Sequence, residues 1–322
     1  MKRIKKLIAL LLVVVMILGL TVPTYATEFV METKSEEIPI DLLKRHKNII
    51  SGRVSEASVG TYSEYDIVKE LEDKSTVELI SLGYSTLVAN QITTGKIEEA
   101  MLSEIFERSK MSNEQLSNMG YSQKEITELQ SLTGNETLSD ISTRGLFANC
   151  TCYNILDDHY YKQSTGKTYI VVAYGWEWDK FPAIKLTDCA GVGWNHNFTP
   201  DDSLDNDAMD YNLTYIGYCE TKDSPTSSVS RVVMREKYLQ TSECTVPMKV
   251  SGDVALFGVG NMALSQTGSV NDIKFSFKYA HNTIGATPSV GFPWSVGFSF
   301  ESAEDIFTPP SIVYHDYPRV IS

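Results

Sequence analysis

Lys167-Thr-Tyr-Ile-Val-Val-Ala-Tyr-Gly-Trp-Glu-Trp178 is the stretch that decides the reading of this chain. Ile170, Val172, Tyr174, Trp176 and Trp178 recur at every second position, which places them on one face of a strand, and two indoles that close together need a partner layer to bury them. Upstream of it the apolar residues recur at helical spacing. Downstream, alternating runs are punctuated by Gly, Ser, Asn and Asp. The expected class is α+β: an N-terminal helical domain over residues 27–145, then an antiparallel β-sandwich over residues 146–322.

Residues 1–26 read as a signal peptide. Lys2, Arg3, Lys5 and Lys6 precede an apolar run from Leu7 to Leu20, and Pro23-Thr-Tyr-Ala26 presents small residues where a signal peptidase reads. Cleavage after Ala26 is expected. The run is short for a bilayer span and no second one follows, no Cys stands ready for a lipid anchor, and no sorting motif closes the chain. A secreted protein, released or held at the surface by contacts alone, is therefore expected.

Cleavage removes four positive charges and no negative ones, so the formal net charge of −13 becomes −17. A chain this acidic is repelled by nucleic acid and by anionic lipid, which argues against either partner. With 42% hydrophobic residues it still buries a full core, and the remaining length, roughly 296 residues, suits two domains. All five Cys (150, 152, 189, 219 and 244) lie in the second half, where export favours disulfides. The odd count leaves at least one thiol outside an internal pair, and Cys189 with Cys219 is the preferred pairing because both sit in strand-like runs.

Within the helical half, Ile38–Ile50 and Tyr62–Lys74 carry apolar residues at helical spacing, separated by a Gly- and Ser-rich link over residues 51–60. An internal repeat follows. Ser75-Thr-Val-Glu-Leu-Ile-Ser-Leu-Gly-Tyr-Ser85 aligns with Ser112-Asn-Glu-Gln-Leu-Ser-Asn-Met-Gly-Tyr-Ser122, 37 residues on. Ser75 with Glu78 and Ser112 with Gln115 have capping-box spacing, Gly83 and Gly120 end each first helix, and Ser85 and Ser122 cap the next. Each unit reads as helix, corner, helix, with Tyr84 or Tyr121 clasping back. The corner resembles those of helix-turn-helix DNA readers and of ubiquitin-binding three-helix modules, but export and acidity point to a packing unit. The turn-rich stretch Thr133–Leu146 is where the domain boundary is expected.

In the strand half, Trp176-Glu-Trp-Asp-Lys-Phe-Pro-Ala-Ile-Lys-Leu-Thr-Asp188, with Trp194 shortly after, resembles a segment of uncharacterised secreted proteins of Gram-positive bacteria. That resemblance implies a small β-domain and no particular activity. Trp176, Trp178 and Trp194 form a candidate binding patch for sugar or protein if exposed; at least two of them are expected in the core.

Asp188-Cys-Ala-Gly-Val192 resembles the nucleophile segment of papain-like cell-wall endopeptidases, which implies Cys189 as nucleophile and a distant His such as His281 as base. Gly191, Gly193 and Trp194 favour a strand there, hence a structural thiol or half-cystine. Cys150-x-Cys152 with Asp157, Asp158 and His159 has zinc-ligand types without paired Cys-x-x-Cys spacing. Asp201, Asp205 and Asp207 lie among acids in one loop and offer carboxylates for calcium, although no Gly supplies an EF-hand turn. Ser289–Phe300 alternates aromatics with tiny residues, as a membrane-inserting hairpin would, but Pro293 favours the edge strand of a soluble sheet. The function expected from sequence is non-catalytic binding of an extracellular or cell-wall ligand, with cell-wall peptide hydrolysis and membrane attack as alternatives.

Overall fold

The computed structural model describes residues 56–81, 86–194, 198–201, 213–219, 227–228, 235–238, 241–250, 252–281, 305–307, 312–314 and 316–322. In chain order the elements are β1 (Glu56–Ser63), α1 (Glu64–Glu72), α2 (Thr76–Ser81), α3 (Thr86–Thr93), α4 (Lys96–Ser109), α5 (Asn113–Asn118), α6 (Gln123–Gln130) and α7 (Leu138–Thr143). Strands follow: β2 (Asn149–Lys162), β3 (Lys167–Trp178), β4 (Thr187–Trp194), β5 (Thr199–Pro200), β6 (Leu213–Cys219), β7 (Ser227–Ser228), β8 (Arg235–Tyr238), β9 (Thr241–Pro247), β10 (Lys249–Val250) and β11 (Asp253–Thr267). The last are β12 (Ile273–His281), β13 (Asp305–Phe307), β14 (Ile312–Tyr314) and β15 (Arg319–Ile321).

The helical signals act where the residues place them. Ser112 with Gln115 and Ser122 with Glu125 form reciprocal capping boxes, Gly120 takes the left-handed conformation at φ 99°, and the Tyr121 amide returns to the Leu116 carbonyl. Ser75 and Glu78 cap α2 in the same manner. Gly83 and Tyr84 lie outside the described residues. Two stretches read as links carry structure instead. Residues 56–60 begin β1, which pairs with β2, and Thr133–Leu146 contains α7, capped by Thr137 and Asp140 with Leu138 and Ile141 buried. Helices too short to be seen by periodicity are held by their caps and two buried side chains.

The larger sheet runs β1-β2-β3-β11-β6-β7, with β15 beside β2 and with β5 and β10 beside β11; the smaller runs β13-β12-β4-β9-β8, with β14 beside β12. Among the described residues the named strands pair antiparallel except for the short β15–β2 ladder. β3 departs from simple alternation: Thr168 to Trp178 are buried on both faces apart from Glu177. A strand covered on both sides needs no polar face, which is why Tyr-Ile-Val-Val-Ala-Tyr is almost continuously apolar. Its neighbour β2 carries Asn154, Asp157, Asp158 and His159 and so hides from an apolar count; a bulge between Leu156 and Asp158 shifts its register, and Ser58 Oγ donates to Asn154 across the ladder at 3.0 Å.

β3 and β12 meet ring on ring. Trp176 stacks on Tyr279 at 4.5 Å and Tyr174 on Phe277 at 5.3 Å. The rings have room to lie flat because β11 places Gly258 opposite Trp176 and Gly260 opposite Tyr174; a Cβ on Gly258 would stand 2.1 Å from the indole. Gly258→Ala is therefore expected to destabilise the protein by roughly 1–3 kcal/mol in urea unfolding, the usual penalty of overpacking. A loss under roughly 0.5 kcal/mol would mean that the Trp176 ring tilts freely. Helices and sheets share one apolar core, in which Leu79, Met101, Leu116, Ile126 and Ile141 are contiguous with Trp178, Ala183 and Phe277.

Candidate functional site

The seven residues that leave β3, Asp179–Lys185, include the buried Lys180 and are held by two more buried charges, Arg108 and Glu64. Here the helices meet the sheets. Phe181 donates its amide to the Met119 carbonyl at the corner of the second helical unit, at 2.9 Å. Lys180, almost fully buried, reaches Glu125 Oε1 at 2.5 Å and the Gly145 carbonyl at 3.0 Å. Arg108, 1% exposed, donates to the carbonyls of Phe181 and Pro182 at 2.7 and 2.6 Å, to the Tyr121 hydroxyl at 2.9 Å, and to Glu104 through two nitrogens. Lys185 joins Glu104 at 2.9 Å. Burial pushes the Glu104 and Glu125 carboxyls up, but Arg108 and Lys185 beside the first, and the hydrogen bonds of Lys180 and Ser122 to the second, outweigh it and hold both below the usual range.

Glu64, in the first turn of α1, is buried where that helix leaves β1. Its carboxylate accepts from the amides of Ala183 at 2.8 Å and Ala148 at 3.4 Å, and faces His281 Nε2 at 3.7 Å, an ion-pair rather than a hydrogen-bond distance. The other ring nitrogen of His281 lies 3.0 Å from Asp188 Oδ2. Tyr279 OH donates to the same carboxylate and accepts from Trp178 Nε1 at 3.2 Å, while the Trp178 ring meets the imidazole edge-on at 4.8 Å. Burial alone would push the imidazole pKa down; Asp188 first, then Glu64, outweigh it and raise it to about 10. The group is thus an imidazolium between two carboxylates, joining α1, β4 and β12.

Compared with protein-family models and with curated proteins, the chain matches none.

The residues singled out from sequence are distributed differently. Cys189 and Asp188 are consecutive on β4 and so project to opposite faces; Cys189 pairs with Ala280 in the β4–β12 register, and His281, one residue further, sits on the Asp188 side and meets its carboxylate. The structure brings His281 to Asp188 and Glu64, not to Cys189. Cys189 and Cys219 lie in different sheets, and no disulfide joins them. Cys150 and Cys152 share the core face of β2 with sulfurs 3.9 Å apart, and burial pushes the Cys150 thiol well up, which suits a packed thiol rather than a metal thiolate. His159, beyond the bulge, turns Nε2 to the Val270 carbonyl at 2.9 Å. Among the described residues no three His, Cys, Asp or Glu side chains gather as metal ligands. Asp201 lies 3.5 Å from Lys167; Asp205, Asp207 and the run Ser289–Phe300 are outside the described residues. Trp176 and Trp178 are fully buried and Trp194 is 3% exposed, its Nε1 donating to the Phe198 carbonyl, so all three stand in the core and not on a surface patch.

Sequence reasoning passed over Glu64, Glu104, Arg108 and Lys180. Each sits among charged residues on a helix or loop that would ordinarily face water, so no local signal sets it apart. Asp188 was visible as the neighbour of a candidate nucleophile, and its pairing with His281 depends on a register that only the sheet supplies. No described helix is long and apolar enough to cross a membrane.

Proposed function

We propose that the protein is an exported, non-catalytic binding protein acting at or outside the cell envelope, with the helices of residues 64–143 mounted on a β-sandwich built from the two sheets. The stacking of the β3 rings on those of β12 supports the sandwich. The reading rests on one observation above all: His281, the base that a Cys189 nucleophile requires, is engaged by Asp188 and Glu64 on the opposite face of β4. An imidazolium held at a pKa of about 10 is a poor proton acceptor at neutral pH, which suits a structural pin.

The test uses the mature protein and purified Gram-positive cell walls. It is expected to sediment with the walls, to release no peptide from them, and to show no iodoacetamide adduct at Cys189 in its native state faster than a simple peptide thiol would form one. Peptide release that Cys189→Ala abolishes, or failure to sediment with walls at any tested ionic strength, would overturn the proposal.

A further inference from the structure

The internal repeat supplies its own control. Positions that are buried in one helical unit are buried in the other: Leu79 matches Leu116, Ala89 matches Ile126, and Ile92 matches Leu129. The outward positions do not match. The second unit carries Glu114, Ser117 and Lys124, all exposed, where the first carries Val77, Ile80 and Leu87 at 76, 43 and 71% exposure. Since the same fold is built with polar residues at these places, packing within the unit does not require the three apolar ones. A stripe of this kind on a helical pair is what a partner helix covers.

The rim of the stripe is acidic and short of cations. Residues 65–99 hold seven Asp and Glu against three Lys, and Lys74 and Lys69 are already turned to Glu70 and Asp73 at 3.0 and 3.6 Å. Thr76 and Thr93 touch through their hydroxyls at 3.3 Å, which brings the start of α2 to the end of α3, between Glu72 at the end of α1 and Glu98 at the start of α4. Glu72 Oε1 is buried without a hydrogen-bond partner, and burial together with the nearby Glu98 pushes its carboxyl up. The site is an apolar stripe ending near two carboxylates, where Lys69 acts on Glu72 but is outweighed by burial and by Glu98.

We propose that the stripe Val77–Ile80–Leu87 is the docking face for this chain's own segment Ile38–Ile50, with Lys44, Arg45 and Lys47 meeting Glu72 and Glu98. That segment reads as an amphipathic helix in which Leu42 and Ile49, and Leu43 and Ile50, fall seven residues apart on one face, and it carries three cations against the single acid Asp41. As a helix it spans about 20 Å, and the five residues between it and β1 extend about 17 Å, a combined reach of about 37 Å from the start of β1. A second copy of the protein is disfavoured as occupant, because a two-fold contact through this face would set Glu72, Glu78 and Glu98 against themselves.

Zero-length carbodiimide coupling of the full mature chain is expected to give links from Lys44 or Lys47 to Glu72 or Glu98 within one molecule, independent of protein concentration. Hydrogen exchange should show the amides of 40–50 protected at least about 10-fold over a free peptide. The variant Val77→Glu/Ile80→Ser/Leu87→Lys installs the side chains that the second unit already tolerates, so it should keep the fold while removing both the links and the protection. Links that appear only between molecules, protection that survives the triple variant, or no protection in the parent protein would each overturn the proposal.

Discussion

Glu64→Ala is expected to lose roughly 3–5 kcal/mol of folding stability, read as a lower urea midpoint at unchanged slope, because it leaves the buried Ala183 and Ala148 amides without their acceptor and takes from His281 one of its two carboxylate partners, Asp188 remaining. His281 adds a pH signature whose sign follows from its raised pKa. The folded protein holds the proton up to about pH 10, whereas the unfolded chain releases it near the ordinary 6.5. Its contribution is therefore complete below about pH 6.5 and declines as pH rises toward 10, by up to about 1.4 kcal/mol per unit. The groups facing it are Asp188, Glu64, Tyr279 and Trp178. Urea midpoints measured between pH 7 and 9 should fall in the parent protein and fall much less in His281→Gln. Equal slopes would show that the imidazole is neutral in the folded state.

Arg108→Ala should be as damaging, at roughly 3–5 kcal/mol, and Arg108→Lys should recover little of it. The guanidinium donates at once to two consecutive carbonyls, Phe181 and Pro182, to Tyr121 and to Glu104. An ammonium has neither the planar fork nor enough donors for all four. Thermal unfolding and hydrogen exchange of Asp179–Lys185 would report it. If the Lys variant matched the parent protein in both, charge alone would be what matters at this position.

The capping boxes at Ser112, Ser122 and Ser75, the left-handed Gly120, and the rows of β3 and β12 follow from sequence because each depends on residues two to five positions apart. So does the mixture of helices with antiparallel sheet, since the change of period at Lys167 is local. The repeat, too, is written in the chain, and its two units bury the same positions.

Tertiary structure alone decided the rest. β2 looks polar in isolation and becomes a strand because β1 and β3 satisfy its backbone on both sides. Glu64 meets His281 across 217 positions, and Arg108 meets Phe181 across 73, separations at which no spacing rule operates. Cys189 and His281 carry the residue types of a catalytic pair, but side chains on a strand alternate, and the β4–β12 register puts Asp188, not Cys189, on the side of the ring. Residue types and short spacings are properties of the sequence; which buried charge finds which partner is settled only when the layers close and every uncompensated group must be matched or expelled.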